Sequence, residues 1–586
     1  MMRRLLQSME NARSRRQEPV EFRTPAEHAL HEEGLFKQAI ETGRTRVLIT
    51  GAVMALAFAV VGIRLIDVTA FNNPSEPRVT HAVSASTVKK ERADIVDRNG
   101  TLVATALKTV GLSADPKKIM DIQEAASKLA AVLPDLSAAD IARKLSSDSR
   151  FVWLHRKLTP YQQWEVNRLG IPGLDFRTQE TRVYPQGNLM SHVLGFTSID
   201  NNGLAGIEKK LDQTLRSSTQ PLKLSVDVRL QHIMRQELQA AVTEFDAIGA
   251  TGIIMDVNNG EILSMVSLPD FDPNDAGKAT DDSRFNRATL GVYELGSTFK
   301  IFNTAVALDT GTAKLSSQFD ATKPLRVGRF AIRDYHAKNR WLSVSEIFIY
   351  SSNIGSARIA NELGTASQRE FLAKLGFLTP SSIELPEVGQ PLYPKVWRPV
   401  NTMTISYGHG LAVSPIQLVS GVSAMVNGGT FYQPTLVRSD TDRNGERIIS
   451  ESTSNAIRKL MRLNNIEGSG KASNAKGYLV GGKTGTAEKV GARGTYRKKD
   501  LISSYVAAFP MNAPRYVVYV NLDEPRGTKK TFGYATGGWV AAPAVSQVIK
   551  QMAPMLGIPP QDPESPEIRQ ALAIKLPNQG KTLASF

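Results

Sequence analysis

The chain contains no cysteine. That absence removes disulfides, thiolate catalysis, iron–sulfur clusters and any zinc site built on cysteine. It leaves the redox compartment open, because cysteine-free chains occur on either side of a membrane. There is also no internal repeat and no long low-complexity tract, which argues against a repeat architecture. What is present is ordinary globular composition, with 41% hydrophobic and 22% charged residues, and this excludes bulk disorder. A length of 586 residues predicts roughly two to four domains of about 150 residues each. With 71 Lys+Arg against 56 Asp+Glu the net charge is +15, which admits nucleic acid, anionic lipid or anionic polymer as a partner.

Long apolar runs are scarce, with one exception. Val47 to Ile63 is a stretch of 17 uncharged residues, and Leu65 and Ile66 prolong it, so a membrane-spanning helix is predicted over 47–66. The 46 residues before it, and no clean small-residue cleavage pattern after it, favour a retained anchor over a cleaved signal peptide. Arg44 and Arg46 adjoin its start and further arginines lie upstream, which places the N-terminus in the cytoplasm. The mixed-sign residues 1–46 read as a solvated cytoplasmic tail. On this reading about 520 residues lie beyond the span, and nucleic acid is no longer a sensible partner.

Beyond Pro74 and Pro77, the run Ala93 to Val103 reads as strand, Asn99-Gly100 turn and strand, opening a non-catalytic module over 79–215. Residues 115–170 alternate helical stretches with breaks, and 182–208 is turn-rich. A second domain, 221–555, opens on a strand at Leu222 to Val226, then a helix carrying Leu230, Ile233, Leu238 and Val242. Two strands flanking Asn258-Asn259-Gly260 predict a hairpin, and alternating helices and strands continue to Val520, giving an α+β domain. Residues 559–586 are expected to be a flexible tail.

Ser-x-x-Lys occurs at Ser86, Ser297 and Ser473, so the pattern alone carries little. Only Ser297 stands between a glycine turn and a strong helical run, Lys300 to Leu308, closed by Gly311. Three-residue spacing puts the Ser297 hydroxyl and the Lys300 amine on one helical face, as a nucleophile and its base require. The positive end of the helix dipole is expected to help keep Lys300 neutral. Ser351-Ser352-Asn353 lies between a helix opened by a Ser343–Glu346 capping box and one ending near Gly364. Lys483-Thr484-Gly485-Thr486 reads as an edge strand, where Gly485 is expected to leave room for a substrate backbone. Each element is weak. In order, 54 and then 132 residues apart, they form the signature of penicillin-recognising serine enzymes.

With these motifs the sequence resembles the class B penicillin-binding proteins, membrane-anchored D,D-transpeptidases that cross-link peptidoglycan. The likeness extends over Asp94 to Gly100, Arg182-Val-Tyr-Pro185, Gly206-Ile-Glu208 and Gly408 to Gln417, with one departure at Ala93, where the family commonly has glycine. It implies an N-terminal pedestal domain and a serine β-lactamase-like domain with helices around a five-stranded antiparallel sheet. Tyr293 to Lys300 and Tyr516 to Pro525 look most like the division-specific type, with the elongation type as runner-up. The resemblance implies Ser297 as nucleophile, Lys300 as its base, Ser351 as a proton relay, and Asn353 as a holder of substrate amide and of Lys300. Lys483, Thr484 and Thr486 are implied to bind the terminal carboxylate, and the backbone N–H groups of Ser297 and Thr486 to form an oxyanion hole. No cofactor or metal is implied. The implied partners are peptidoglycan stem peptides on lipid II-derived strands, β-lactams, a septal SEDS-type glycosyltransferase (FtsW-like) and other divisome membrane proteins.

A β-lactamase would need a deacylating base, and the usual Glu-x-x-Leu-Asn pattern cannot be placed after Asn353. A β-lactam sensor would need a signalling domain that residues 1–46 are too short to hold. Residues 481–530 carry ten basic and four acidic side chains, which predicts a basic surround that steers anionic stem peptides to the cleft.

Overall fold

A five-stranded sheet whose side chains point alternately into two cores organises the larger part of this protein. The computed structural model describes residues 44, 48–63, 92–328, 330–491, 495–575 and 582–583. The chain divides into Met1–Val88 and Lys89–Phe586. Of the first unit, residues 48–63 form a helix whose apolar side chains are exposed, Phe58 at 70% among them. Among the described residues no helix is long and apolar enough to cross a membrane. Val47 and 64–66 of the expected 47–66 span lie outside the described residues, as does most of the 1–46 tail.

The second unit begins with the expected strand, Ile95–Val96, and an Asn99-Gly100 turn with Gly100 at φ +88°. Leu102–Ala114 then pairs antiparallel with both Val152–Leu158 and Leu174–Val183. Those two strands were not legible in the sequence, where charged residues interrupt the apolar alternation. Helices Ile122–Val132, Ala138–Leu145 and Pro160–Arg168 start where Asp121, Ser137 and Thr159 accept backbone N–H groups. Their apolar faces enclose a small core of Leu112, Leu129, Leu133, Ile141, Leu154 and Val166.

At the base of this module Glu208 is buried between two arginines. Its carboxylate lies 2.6 Å from Arg92 and 2.6 Å from Arg182, and Arg92 also pairs with Asp212 at 2.6 Å. The Arg182-Val-Tyr-Pro and Gly206-Ile-Glu motifs are two parts of this one network. The strand expected to open the second domain, Leu222–Lys223, instead runs parallel to Ile95–Val96, so it completes the first sheet.

The helix Val228–Phe245 and the Asn-Asn-Gly hairpin fall where expected. Strands Gly249–Asp256 and Ile262–Leu268 join a five-stranded antiparallel sheet, in spatial order Gly481–Val490, Tyr496–Phe509, Tyr516–Asp523, Gly249–Asp256, Ile262–Leu268. Helices cover both faces. Val517 and Tyr519 point into a core with Phe302, Val419 and Leu460, while Val518 and Val520 point into another with Met234, Leu238 and Val545. The tail needs a correction: Pro566–Leu572 is a helix capped by Ser565, and Ile568, Leu572 and Ile574 are buried in the main core. Its apolar residues dock at helical spacing, which the proline-rich surroundings mask.

Replacing Glu208 by alanine would leave Arg92 and Arg182 buried without their shared carboxylate. The expected cost is about 3–5 kcal/mol in urea unfolding, with a smaller loss for Glu208→Gln, which keeps the size and one acceptor.

Candidate active site

Gly296–Phe299 forms a single tight turn and Lys300–Asp309 continues from it as an α-helix, with Gly311 at φ +73° just past its end. Gly296 sits at φ +56°, and a methyl group there would lie 2.5 Å from the carbonyl oxygen of Thr486. Only glycine permits both the dihedral and the approach. The turn before Ser297 is thereby pressed against the edge strand carrying the Lys-Thr-Gly motif, and the main chains of Ser297 and Thr486 become neighbours.

Ser351 lies between helices Val344–Ile349 and Asn353–Leu363, the first opened by the expected Ser343–Glu346 capping box. Its φ of +57° is in the left-handed region that a serine rarely occupies. Such a conformation persists where its surroundings over-determine it. Here Ser352 accepts the N–H of Gly355 at 3.0 Å, and the Ser352 hydroxyl and the Ile354 N–H both donate to Asp334, at 2.7 and 2.9 Å.

The three motifs meet at Lys300. Its Nζ lies 2.7 Å from Ser297 Oγ, 2.7 Å from Asn353 Oδ1 and 3.2 Å from Ser351 Oγ. Lys483 Nζ donates to the other side of Ser351 Oγ at 3.0 Å. Asn353 is fixed by its own Nδ2, which donates to the Arg333 carbonyl at 3.1 Å. Both lysines are buried, Lys300 at 1% and Lys483 at 0% exposure. Burial, and after it the positive charge of Lys483, holds the Lys300 amine well below its ordinary range, with Asp334 opposing. Burial and the Lys483 charge are causes that the sequence, which points only to the helix dipole, does not contain. Burial alone brings Lys483 down to about 7. The arrangement can hold a neutral amine against a serine hydroxyl near neutral pH, which is what general-base activation of a nucleophile requires.

Along the edge strand Lys483 and Gly485 face inward, while Thr484 and Thr486 are half-exposed on the opposite face. The Thr484 hydroxyl lies 2.8 Å from that of Ser469, and Thr486 Oγ1 accepts the N–H of Gly537 at 3.1 Å. Gly485 has a different reason to be glycine from the one expected. A methyl there would lie 2.5 Å from the Leu295 carbonyl and against Ser504 Oγ, so the packing of the turn before Ser297 itself requires glycine at this position. Of the other Ser-x-x-Lys sites, Ser473 is buried against Asn465, and Ser86 lies outside the described residues.

Asp334 and Ser469 escaped the sequence reading, for no motif marks them, and Glu294 lies in the Tyr293–Lys300 run, where the resemblance gives it no role. Glu294, three residues before Ser297, accepts the Gly410 N–H at 2.8 Å and the Tyr496 hydroxyl at 3.0 Å. Within the basic stretch, Lys489 pairs with Asp523 and Glu524, and Arg497 and Arg526 with Asp500, all carboxylates of the same 481–530 segment. Lys530 pairs with Glu244, a carboxylate that lies near it only in the fold.

Residues 250–550 match the family described as penicillin binding protein transpeptidase domain, and residues 87–242 the family described as penicillin-binding protein dimerisation domain. The chain is 41% identical over 489 residues to the probable peptidoglycan D,D-transpeptidase FtsI of Caulobacter vibrioides, covering 81% of this chain and 83% of that protein. It is 31% identical over 581 residues to the probable peptidoglycan D,D-transpeptidase PenA of Neisseria meningitidis, covering 93% and 98%. Penicillin binding protein 3 of Mycobacterium tuberculosis, solved in complex with aztreonam, shares the fold with a TM-score of 0.65 at 20% identity, covering 81% of this chain and 98% of that one.

Gly485→Ala is expected to push the turn before Ser297 off the edge strand. Overpacking of this kind costs about 1–3 kcal/mol, readable as a lowered thermal midpoint.

Proposed function

The chain belongs to the class B penicillin-binding proteins, and on that premise we propose that it is a peptidoglycan D,D-transpeptidase whose acyl-enzyme forms on Ser297. The observation that carries the residue assignment is the 2.7 Å approach of a buried Lys300 amine to the Ser297 hydroxyl, with Ser351 between Lys300 and Lys483. Neutral Lys300 takes the Ser297 proton as Oγ attacks the carbonyl between the two terminal D-alanines of a stem peptide. Negative charge builds on the carbonyl oxygen, facing the backbone N–H groups of Ser297 and Thr486. The peptide C–N bond breaks, and a proton passed through Ser351 goes to the departing D-alanine amine. An amine of a neighbouring stem peptide then attacks the ester carbonyl and gives its proton to Lys300; the C–Oγ bond breaks, Lys300 passes that proton to Ser297 Oγ, and the cross-linked product leaves with serine and neutral lysine restored. Thr484 and Thr486, half-exposed on the edge strand, receive the terminal carboxylate, and Asn353 holds the substrate amide. β-Lactams present a similar carbonyl and carboxylate and acylate Ser297 without ready release.

The FtsI and PenA relatives support a role at the division septum. In that role residues 47–66 anchor the chain in the inner membrane, residues 1–46 lie in the cytoplasm, and the modules at 79–215 and 221–555 stand in the periplasm. Both modules are accounted for by the transpeptidase and dimerisation families, and in this reading glycan polymerisation falls to a partner, an FtsW-like membrane glycosyltransferase. Depletion should give filaments with unfinished septa, whereas rounded cells would assign the enzyme to elongation.

Labelled penicillin followed by peptide mass spectrometry should place the adduct on Ser297 and on no other residue, and Ser297→Ala should take up no label. Acylation should fall on the acid side as Lys300 takes a proton. Lys483 lowers the Lys300 pKa, so Lys483→Ala raises it and should move that acid limb to higher pH in stopped-flow rates.

A further inference from the structure

The loop that precedes strand Trp341–Ser343 supplies a carboxylate that neither the motifs nor the comparisons assign. Asp334 Oδ2 accepts the Ser352 hydroxyl at 2.7 Å and Asp334 Oδ1 accepts the Ile354 N–H at 2.9 Å, so it grips the chain on both sides of Asn353. The neighbouring Arg333 carbonyl holds the Asn353 amide at 3.1 Å. One short loop therefore fastens three consecutive residues, Ser352, Asn353 and Ile354, directly after the left-handed Ser351. Ser351 and Asn353 are two of the three acceptors around Lys300 Nζ.

We propose that Asp334 is a positioning residue for acylation, fixing the Ser351 turn through Ser352 and Ile354 and setting one negative charge beside the Lys300–Lys483 pair. This rests on the assignment of Ser297 as the acylated residue. The charged and titratable groups acting on Lys300 come from three directions. Lys483 approaches from the sheet edge, Asp334 from this loop, and Tyr407 and His409 from the turn after helix Pro399–Ile405, with Lys300 Nζ 6.0 Å from the Tyr407 ring. Tyr407 is held up at about 12 by burial, and His409 down at about 4 by burial and the Lys300 charge, so both are neutral near neutral pH. Lys483 and Asp334 are left as opposing influences. Removing Asp334's charge must make Lys300 easier to deprotonate, while loosening the turn must slow acylation at every pH.

The test is the rate of Ser297 acylation by a fluorescent penicillin between pH 5 and 9, in the full chain. Asp334→Asn keeps size and an acceptor but loses the charge. Its plateau should fall, and its acid limb should move to lower pH by about half a unit, a change of about threefold in the rate ratio on that limb. Ser352→Ala removes one contact and keeps the charge, so its plateau should fall with the limb unmoved. An Asp334→Asn limb that stays with the wild type or moves to higher pH overturns the proposal, as does an equal shift in Ser352→Ala. Should Asp334→Asn not fold, Asp334→Glu carries the test. It keeps the charge, so an unmoved limb supports the proposal and a limb moved threefold refutes it. Wild-type protein that takes no label on Ser297 would instead defeat the functional assignment itself.

Discussion

Everything at this site depends on burying a lysine amine. An exposed amine is charged at neutral pH and cannot accept a proton from serine. At 1% exposure, with Lys483 on the far side of Ser351, Lys300 loses most of the solvation that keeps an ammonium charged. The cost of sealing it in is offset by hydrogen bonds to Ser297, Ser351 and Asn353. Those acceptors come from two chain segments, the Ser297 turn and the Ser351–Asn353 turn, so the rest of the domain can be understood as what holds both around one nitrogen.

Two devices do the holding, and both are backbone constraints. Gly296 and Gly485 lack the methyl groups that would keep the nucleophile's turn away from the sheet edge. The left-handed Ser351 aims a hydroxyl between two lysines at a conformational cost of order 1–3 kcal/mol. That conformation is secured from outside by Asp334 and Arg333, and from within by the caps of the two helices it separates. A flexible segment would not keep Ser351 Oγ within 3.2 Å of both amines.

The first module is tied to the second through main-chain and buried polar contacts. Leu222–Lys223 pairs with Ile95–Val96, Tyr184 and Asn274 exchange hydrogen bonds at 2.9 and 3.0 Å, and the Gly206 N–H meets the Glu387 carboxylate at 3.2 Å. Glu387 in turn accepts from Thr289, on the segment that leads to Ser297. Beneath them the Arg92–Glu208–Arg182 network is neutral overall only once Asp212 is counted, and removing any member strands a charge away from water.

Much of this was legible in the residues. The hairpin at Asn258 to Gly260, the helix after Asp227, the capping box at Ser343 and the helix beginning at Lys300 all follow from local signals: turn residues, caps and apolar period. The ordered motifs picked out Ser297, Lys300, Ser351, Asn353 and Lys483, and the fold brings these five side chains together. The sequence failed where a contact is long-range. Strands Val152–Leu158 and Leu174–Val183 carry charges on their open face and pair far along the chain. Asp334 sits 34 residues from Lys300 and looks like any loop aspartate. The pairing of Lys530 with Glu244 joins residues that no sequence window contains together. The sequence by itself determined which motif residues were candidates for acyl transfer and where the elements with clear caps and turns begin. Only the tertiary structure decided the burial of Lys300, the left-handed turn at Ser351 and the packing around Gly485, because burial, through-space charge and close backbone approach exist only once distant segments have packed.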